Sequence, residues 1–102
     1  MAWTATAVRE CLDRNDIDVC SAVVTIYRKQ TKAEQASGHT GEYNGVGFNK
    51  FDAEILTSFA EQIIRNKKYG RVKLLSPKQI ALARKRMKKY AKQLAKIANG
   101  EL

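Results

Sequence analysis

The sequence predicts an all-α domain, a compact bundle of three to four helices ending in a long basic C-terminal helix. Three observations carry that prediction. Apolar residues recur at three- and four-residue spacing in four separate stretches, the period of one buried helical face. The chain has a single proline, Pro77, and four of its six glycines fall between Gly38 and Gly47, so one central loop is the main interruption. Its 102 residues, 44% hydrophobic, suffice for one core and not two, so a single domain spanning 1–102 is expected.

The first helix, about residues 4–13, places Ala5, Val8 and Leu12 at helical spacing behind Thr4 as N-cap. The second, about 18–37, is capped by Asp18. It repeats Cys20, Val23, Val24 and Tyr27 on one face, with Arg28, Lys29, Lys32 and Glu34 on the other, and Gly38 closes it. Within it, residues 22–27 (AVVTIY) are β-branched and aromatic enough for a buried strand. Helix is favoured because the polar continuation through residue 36 keeps the helical period without a turn signal.

Residues 38–51 form a glycine-rich loop in which Asn44-Gly45 is a turn dipeptide, while Val46 and Phe48 pin the loop to the core. The third helix, about 52–66, opens at Asp52 as N-cap and carries Ile55, Leu56, Phe59, Ile63 and Ile64 as its stripe. A basic connector around Gly70 occupies 67–75. The last helix, about 76–98, has Ser76 at the N-cap and Pro77 at the first helical position. Its buried stripe is Ile80, Ala83, Met87, Tyr90 or Ala91, Leu94 and Ile97. Lys78, Arg84, Lys85, Arg86, Lys88, Lys89, Lys92 and Lys96 fill the rest, and Asn99-Gly100 ends it.

The formal charge of +9 is concentrated in one part of the chain. Residues 1–61 hold six basic and nine acidic side chains; residues 62–100 hold thirteen basic and no acidic ones. Like charges at helical spacing repel by about 0.2–0.5 kcal/mol per pair, and solvated faces usually intersperse glutamates that relieve this. A helix without such local relief points to an external polyanion, whose bound counterions Lys and Arg displace on contact. Lys78, Arg84, Lys85, Lys88, Lys89 and Lys92 are the expected phosphate contacts, helped by Lys67, Lys68, Arg71 and Lys73 on the connector, where Tyr69 could stack on a base. The partner expected is a DNA or RNA backbone, a nucleoprotein, or an acidic protein surface.

Other classes are disfavoured. The connector is too long for a helix-turn-helix, whose turn spans three or four residues. Gly45-Val-Gly47 lacks the third glycine and preceding strand of a dinucleotide fingerprint. His39 has no cysteine or carboxylate at metal-ligand spacing, and Cys11 and Cys20 are expected as free thiols. Ser76 is explained as a cap, and Asp16 and Asp18 by turn solvation, so neither an enzyme nor a cofactor is expected. No apolar run reaches the roughly 20 residues of a membrane span, and the N-terminus lacks a signal peptide, which leads to the expectation of a cytoplasmic protein with no membrane contact.

The runs Asn44-Gly-Val-Gly-Phe-Asn-Lys-Phe-Asp-Ala53, Leu75-Ser-Pro-Lys-Gln79 and Lys89-Tyr-Ala-Lys-Gln-Leu94, with Leu56, Ser58, Ala60 and Glu61-Gln62 between them, resemble a small module of bacteriophage and mobile-element proteins. The stretch Ile26 to Gln35 resembles the lead-in to that module. It occurs as short stand-alone proteins and as an appendage of phage helicases. The resemblance covers about Ala22 to Leu94 and implies phage origin and work on nucleic acid in the host cytoplasm. It equally implies a competitor: small phage proteins often block host defence, as anti-CRISPR proteins do, by binding a protein or ribonucleoprotein. Exposed aromatics such as Trp3, Tyr43 or Tyr69 would then be the binding hot spots.

Overall fold

The structure, a computed structural model, describes residues 2–37 and 47–100, and among these the only regular elements are helical. They are α1 (Ala5–Arg14), α2 (Asp16–Ser37), α3 (Ala53–Lys68), α4 (Pro77–Met87), a 3₁₀ turn (Lys88–Tyr90) and α5 (Ala91–Ala98). The all-α bundle is therefore observed, and residues 22–27 are helix within α2, with Ala22, Val23, Val24 and Ile26 buried. The segment expected at 76–98 as one rod is two helices. Tyr90, at φ −99° and ψ 12°, leaves helical geometry at the junction. The turn lies where its side chains are drawn apart, Lys88 towards Asp13 and Lys89 and Tyr90 towards Asp52.

α2 packs against all four other helices and forms the centre of the bundle. Val19, Val23 and Ile26 of α2 are fully buried with Leu12 of α1, Leu56 and Ile63 of α3 and Met87 of α4. Removing each such side chain from water contributes about 1.5–3 kcal/mol. The two ends of the described chain meet. The Trp3 backbone N–H donates to Asn99 Oδ1 at 2.7 Å, and Asn99 Nδ2 donates back to the Trp3 carbonyl at 2.9 Å.

One helix start differs from expectation because a neighbouring asparagine wins the cap. α2 begins at Asp16, where Asn15 Oδ1 accepts from the Ile17 N–H at 3.0 Å, so Asp18 lies inside the helix and does not cap it. Asparagine suits this position because its short carbonyl reaches an orphan N–H of the first turn. α3 has Asp52 at the N-cap position as expected, but the Asp52 side chain makes no capping bond, and Asn49 Oδ1 accepts from the Asp52 N–H at 3.0 Å. Thr4 and Ser76 do cap, accepting from Ala7 at 3.1 Å and Gln79 at 3.2 Å.

α3 runs two residues past Asn66 and ends in a Schellman motif. Gly70, at φ +69°, donates to the Lys67 carbonyl at 3.1 Å, while the Arg71 N–H reaches the Asn66 carbonyl at 2.9 Å. The connector that follows is pinned: buried Asn66 donates from Nδ2 to the Leu74 carbonyl at 2.8 Å, and its Oδ1 accepts from Arg71 Nη1 at 3.0 Å. Gln62 and Gln79 exchange reciprocal side-chain bonds of 3.0 Å.

Gln79 also completes a capping box, its Oε1 accepting from the Ser76 N–H at 2.9 Å. Ser76→Ala is expected to lower stability by about 1 kcal/mol, read as a lower denaturant midpoint at unchanged slope. Of the central loop, the segment 38–46 lies outside the described residues, and with it Tyr43, the Asn44-Gly45 turn and His39. The part beside α3 is fixed to the core. Phe48 is buried edge-on against the Tyr90 ring at 5.7 Å, its N–H donating to Gln30 Oε1 at 2.8 Å.

Candidate nucleic-acid interface

The basic helix is not without relief. Its acids come from the front half of the chain, brought in by tertiary packing. Arg84 pairs with Asp16 and donates from Nε to the Leu12 carbonyl at 2.8 Å. Lys88 meets Asp13 at 2.7 Å, Arg86 meets Asp52 Oδ1 at 2.5 Å, and Lys89 meets Asp52 Oδ2 at 2.8 Å. The expectation that only an external polyanion offsets the charge of this helix is corrected accordingly. Four of its cations are partnered inside the molecule.

Asp52 is the hub of that pairing. Its carboxylate is fully buried and also accepts from Tyr90 Oη at 2.7 Å. Burial pushes the carboxyl pKa up, but hydrogen bonds from Lys89, Tyr90 and Arg86 outweigh it and hold the group at about 2. Tyr90 Oη in turn accepts from the Asn49 N–H at 2.9 Å, tying the start of α3 to the junction of α4 and α5.

What is left over is the outer row. Lys78, Lys85, Lys92 and Lys96 are exposed, and none has an ion pair among the described residues. At 100° per residue, the seven-residue step from Lys78 to Lys85 on α4 keeps one direction, opposite Ile80, Ala83 and Met87, while Lys92 and Lys96 are exposed on α5 beyond the 3₁₀ turn. Lys85 also lines a cleft of about 410 Å³ with Leu82, Arg86 and Lys89, where Arg86 Nε has no hydrogen-bond partner among the described residues.

The structure thus divides the residues singled out by sequence. Lys78, Lys85 and Lys92 stand on the outer row, joined by Lys96, which the sequence reading had not selected. Arg84, Lys88 and Lys89 are committed to aspartates. Lys67, Lys68 and Lys73 are exposed on the end of α3 and the connector, without ion pairs among the described residues. Tyr69 is exposed, but the Arg71 guanidinium lies 5.7 Å from its ring centroid, so one face of the ring is already occupied.

Cys11 and Cys20 are both free thiols. Burial pushes the Cys20 thiol pKa up, the Asp16 charge adds to this and Lys67 opposes it, which describes a packed neutral thiol and not a nucleophile. Among the described residues no group of three or more His, Cys, Asp and Glu side chains is placed to hold a metal ion. No described helix is long and apolar enough to cross a membrane. Comparison with protein-family models, with curated proteins and with solved structures finds no match for this chain.

Proposed function

We propose that this is a non-enzymatic binding protein that meets the phosphate backbone of DNA or RNA, free or within a nucleoprotein, through the outer row of α4 and α5. The observation that carries the proposal is the partition of the basic helix. Arg84, Arg86, Lys88 and Lys89 are ion-paired with three aspartates, whereas Lys78, Lys85, Lys92 and Lys96 are exposed and have no ion pair among the described residues. A row of lysines without interleaved aromatics suits contact with a backbone more than readout of bases. Lys67, Lys68, Arg71 and Lys73 extend the positive field along the connector. The resemblance of the chain to a phage module found beside helicases favours the same context.

The test is fluorescence anisotropy of labelled single- and double-stranded oligonucleotides at stepped salt. Affinity is expected to fall linearly on a logarithmic plot as salt rises, with each phosphate contact contributing a slope of about 0.7–0.9. Absence of binding at low salt would sink the reading. A second reading, an anti-CRISPR-like phage inhibitor that blocks a host protein or ribonucleoprotein, is favoured by the apolar side chains left on the surface, Trp3, Ile17 and Val72. A partner retained after nuclease treatment separates it from the first.

A further inference from the structure

The first turn of α2 and the connector between α3 and α4 enclose an apolar groove of about 210 Å³. Ile17 and Cys20 form one wall, Val72 and Leu74 the other, and Leu75 and Ile80 complete the lining. Two of the wall residues are not packed. Val72 is 100% exposed and Ile17 69% exposed, although both sit beside side chains that belong to the core. The connector is held there by fixed bonds, since Asn66 and Gln62 both donate to the Leu74 carbonyl, at 2.8 and 3.4 Å. The opening is thus built by the fold and is not the edge of a loose loop.

The unpaired charges around the groove are of one sign. Lys73 is on its lip, and Lys67 lies close enough for its charge to act on the Cys20 thiol. Neither has an ion pair among the described residues, while the one acid on the lining, Asp16, is paired with Arg84. An apolar slot rimmed by free ammonium groups complements a chain that offers an apolar side chain between carboxylates. A phosphate backbone has no aliphatic group to bury there, and Tyr69, the nearby ring able to stack on a base, is not part of the lining.

We propose that this groove is a docking site for an acidic segment of a partner protein, which seats one aliphatic or aromatic side chain between Ile17 and Val72 and sets Asp or Glu against Lys67 and Lys73. This goes beyond the nucleic-acid reading and does not depend on it. The two surfaces would let one small protein hold a polyanion and a protein that handles it.

The test is an NMR titration of the isotope-labelled full chain with a synthetic peptide of Asp and Glu around Leu and Phe. Two control peptides replace the apolar pair by Ser or the acids by Lys. Amide shifts are expected at Ile17, Cys20, Val72, Leu74 and Ile80, and either control is expected to bind at least about tenfold more weakly. Val72→Ser and Ile17→Ser, charge-neutral changes at exposed positions checked for an unchanged thermal midpoint, are expected to weaken peptide binding at least about tenfold and to leave oligonucleotide affinity in place. Equal binding of the Ser-substituted peptide or shifts centred on Lys85 and Lys92 would each overturn the proposal.

Discussion

Asp52→Ala is expected to destabilise the protein by about 3 kcal/mol, the largest effect of any single polar substitution in this fold. The aspartate binds two cations and a tyrosine from the junction of α4 and α5, and its side chain is fully buried. Removing it takes the carboxylate acceptor from the buried Tyr90 hydroxyl and leaves Arg86 and Lys89 without their counter-charge. Both cations retain some solvent, at 35% and 51% side-chain exposure, which keeps the cost at the low end for a broken buried pair. Tyr90→Phe, which deletes a neutral partner, should cost about 1 kcal/mol.

The same network sets the acid limit. The Asp52 carboxyl is held at about 2 in the folded protein against an ordinary value of 3.8, so its contribution is full above pH 3.8 and is lost as pH falls from there towards 2. The loss amounts to about 2 kcal/mol. Denaturant midpoints measured across that window should fall steeply in the native protein and more gently in Asp52→Ala. A parallel fall in both would show that other carboxylates govern acid unfolding.

The combined variant Lys78→Ala, Lys85→Ala, Lys92→Ala is expected to reduce the slope of log affinity against log salt by about 3 on duplex DNA, one contact for each lysine removed. Weakening should be nearly uniform across sequences, because backbone contacts carry no base information. Stability should hardly change, since none of the three is ion-paired among the described residues. The paired set behaves in the opposite way. Arg84→Gln and Lys88→Gln break links to Asp16 and Asp13, both largely solvent-exposed, and should lower stability by up to about 1 kcal/mol each while leaving the salt slope nearly intact. Similar slope losses from the two sets would mean that the internal pairs open on binding.

Much of the fold was legible because helices announce themselves locally. The stripes Val8-Leu12, Val23-Val24, Leu56-Phe59-Ile63 and Ile80-Ala83-Met87 repeat at the helical period, and the buried residues follow them. The capping box at Ser76 was readable from the Ser-Pro start and the glutamine three positions on. The cap at Asn15 was missed because Asp18, an equally good capping residue, stands three positions later. Local propensity does not say which of two candidates the backbone turns towards. The partition of the lysines was not legible: Lys78, Lys85 and Lys92 stood in one set with Arg84, Lys88 and Lys89, and nothing marked Lys89 as bound to a residue 37 positions earlier.

The sequence by itself determined the helical class, the single core and the existence of a one-signed segment, because periodicity and composition act over a turn or two of chain. Only the tertiary structure decided what that charge does. Packing carries Asp13, Asp16 and Asp52 against α4 and the 3₁₀ turn, and Coulomb attraction across a few ångströms outweighs the repulsion within the helix. It also bends that helix at Tyr90 and leaves the apolar groove open beside α2. The unpaired row and the groove are properties of distances between segments far apart in the chain, and such distances exist only once the chain has folded.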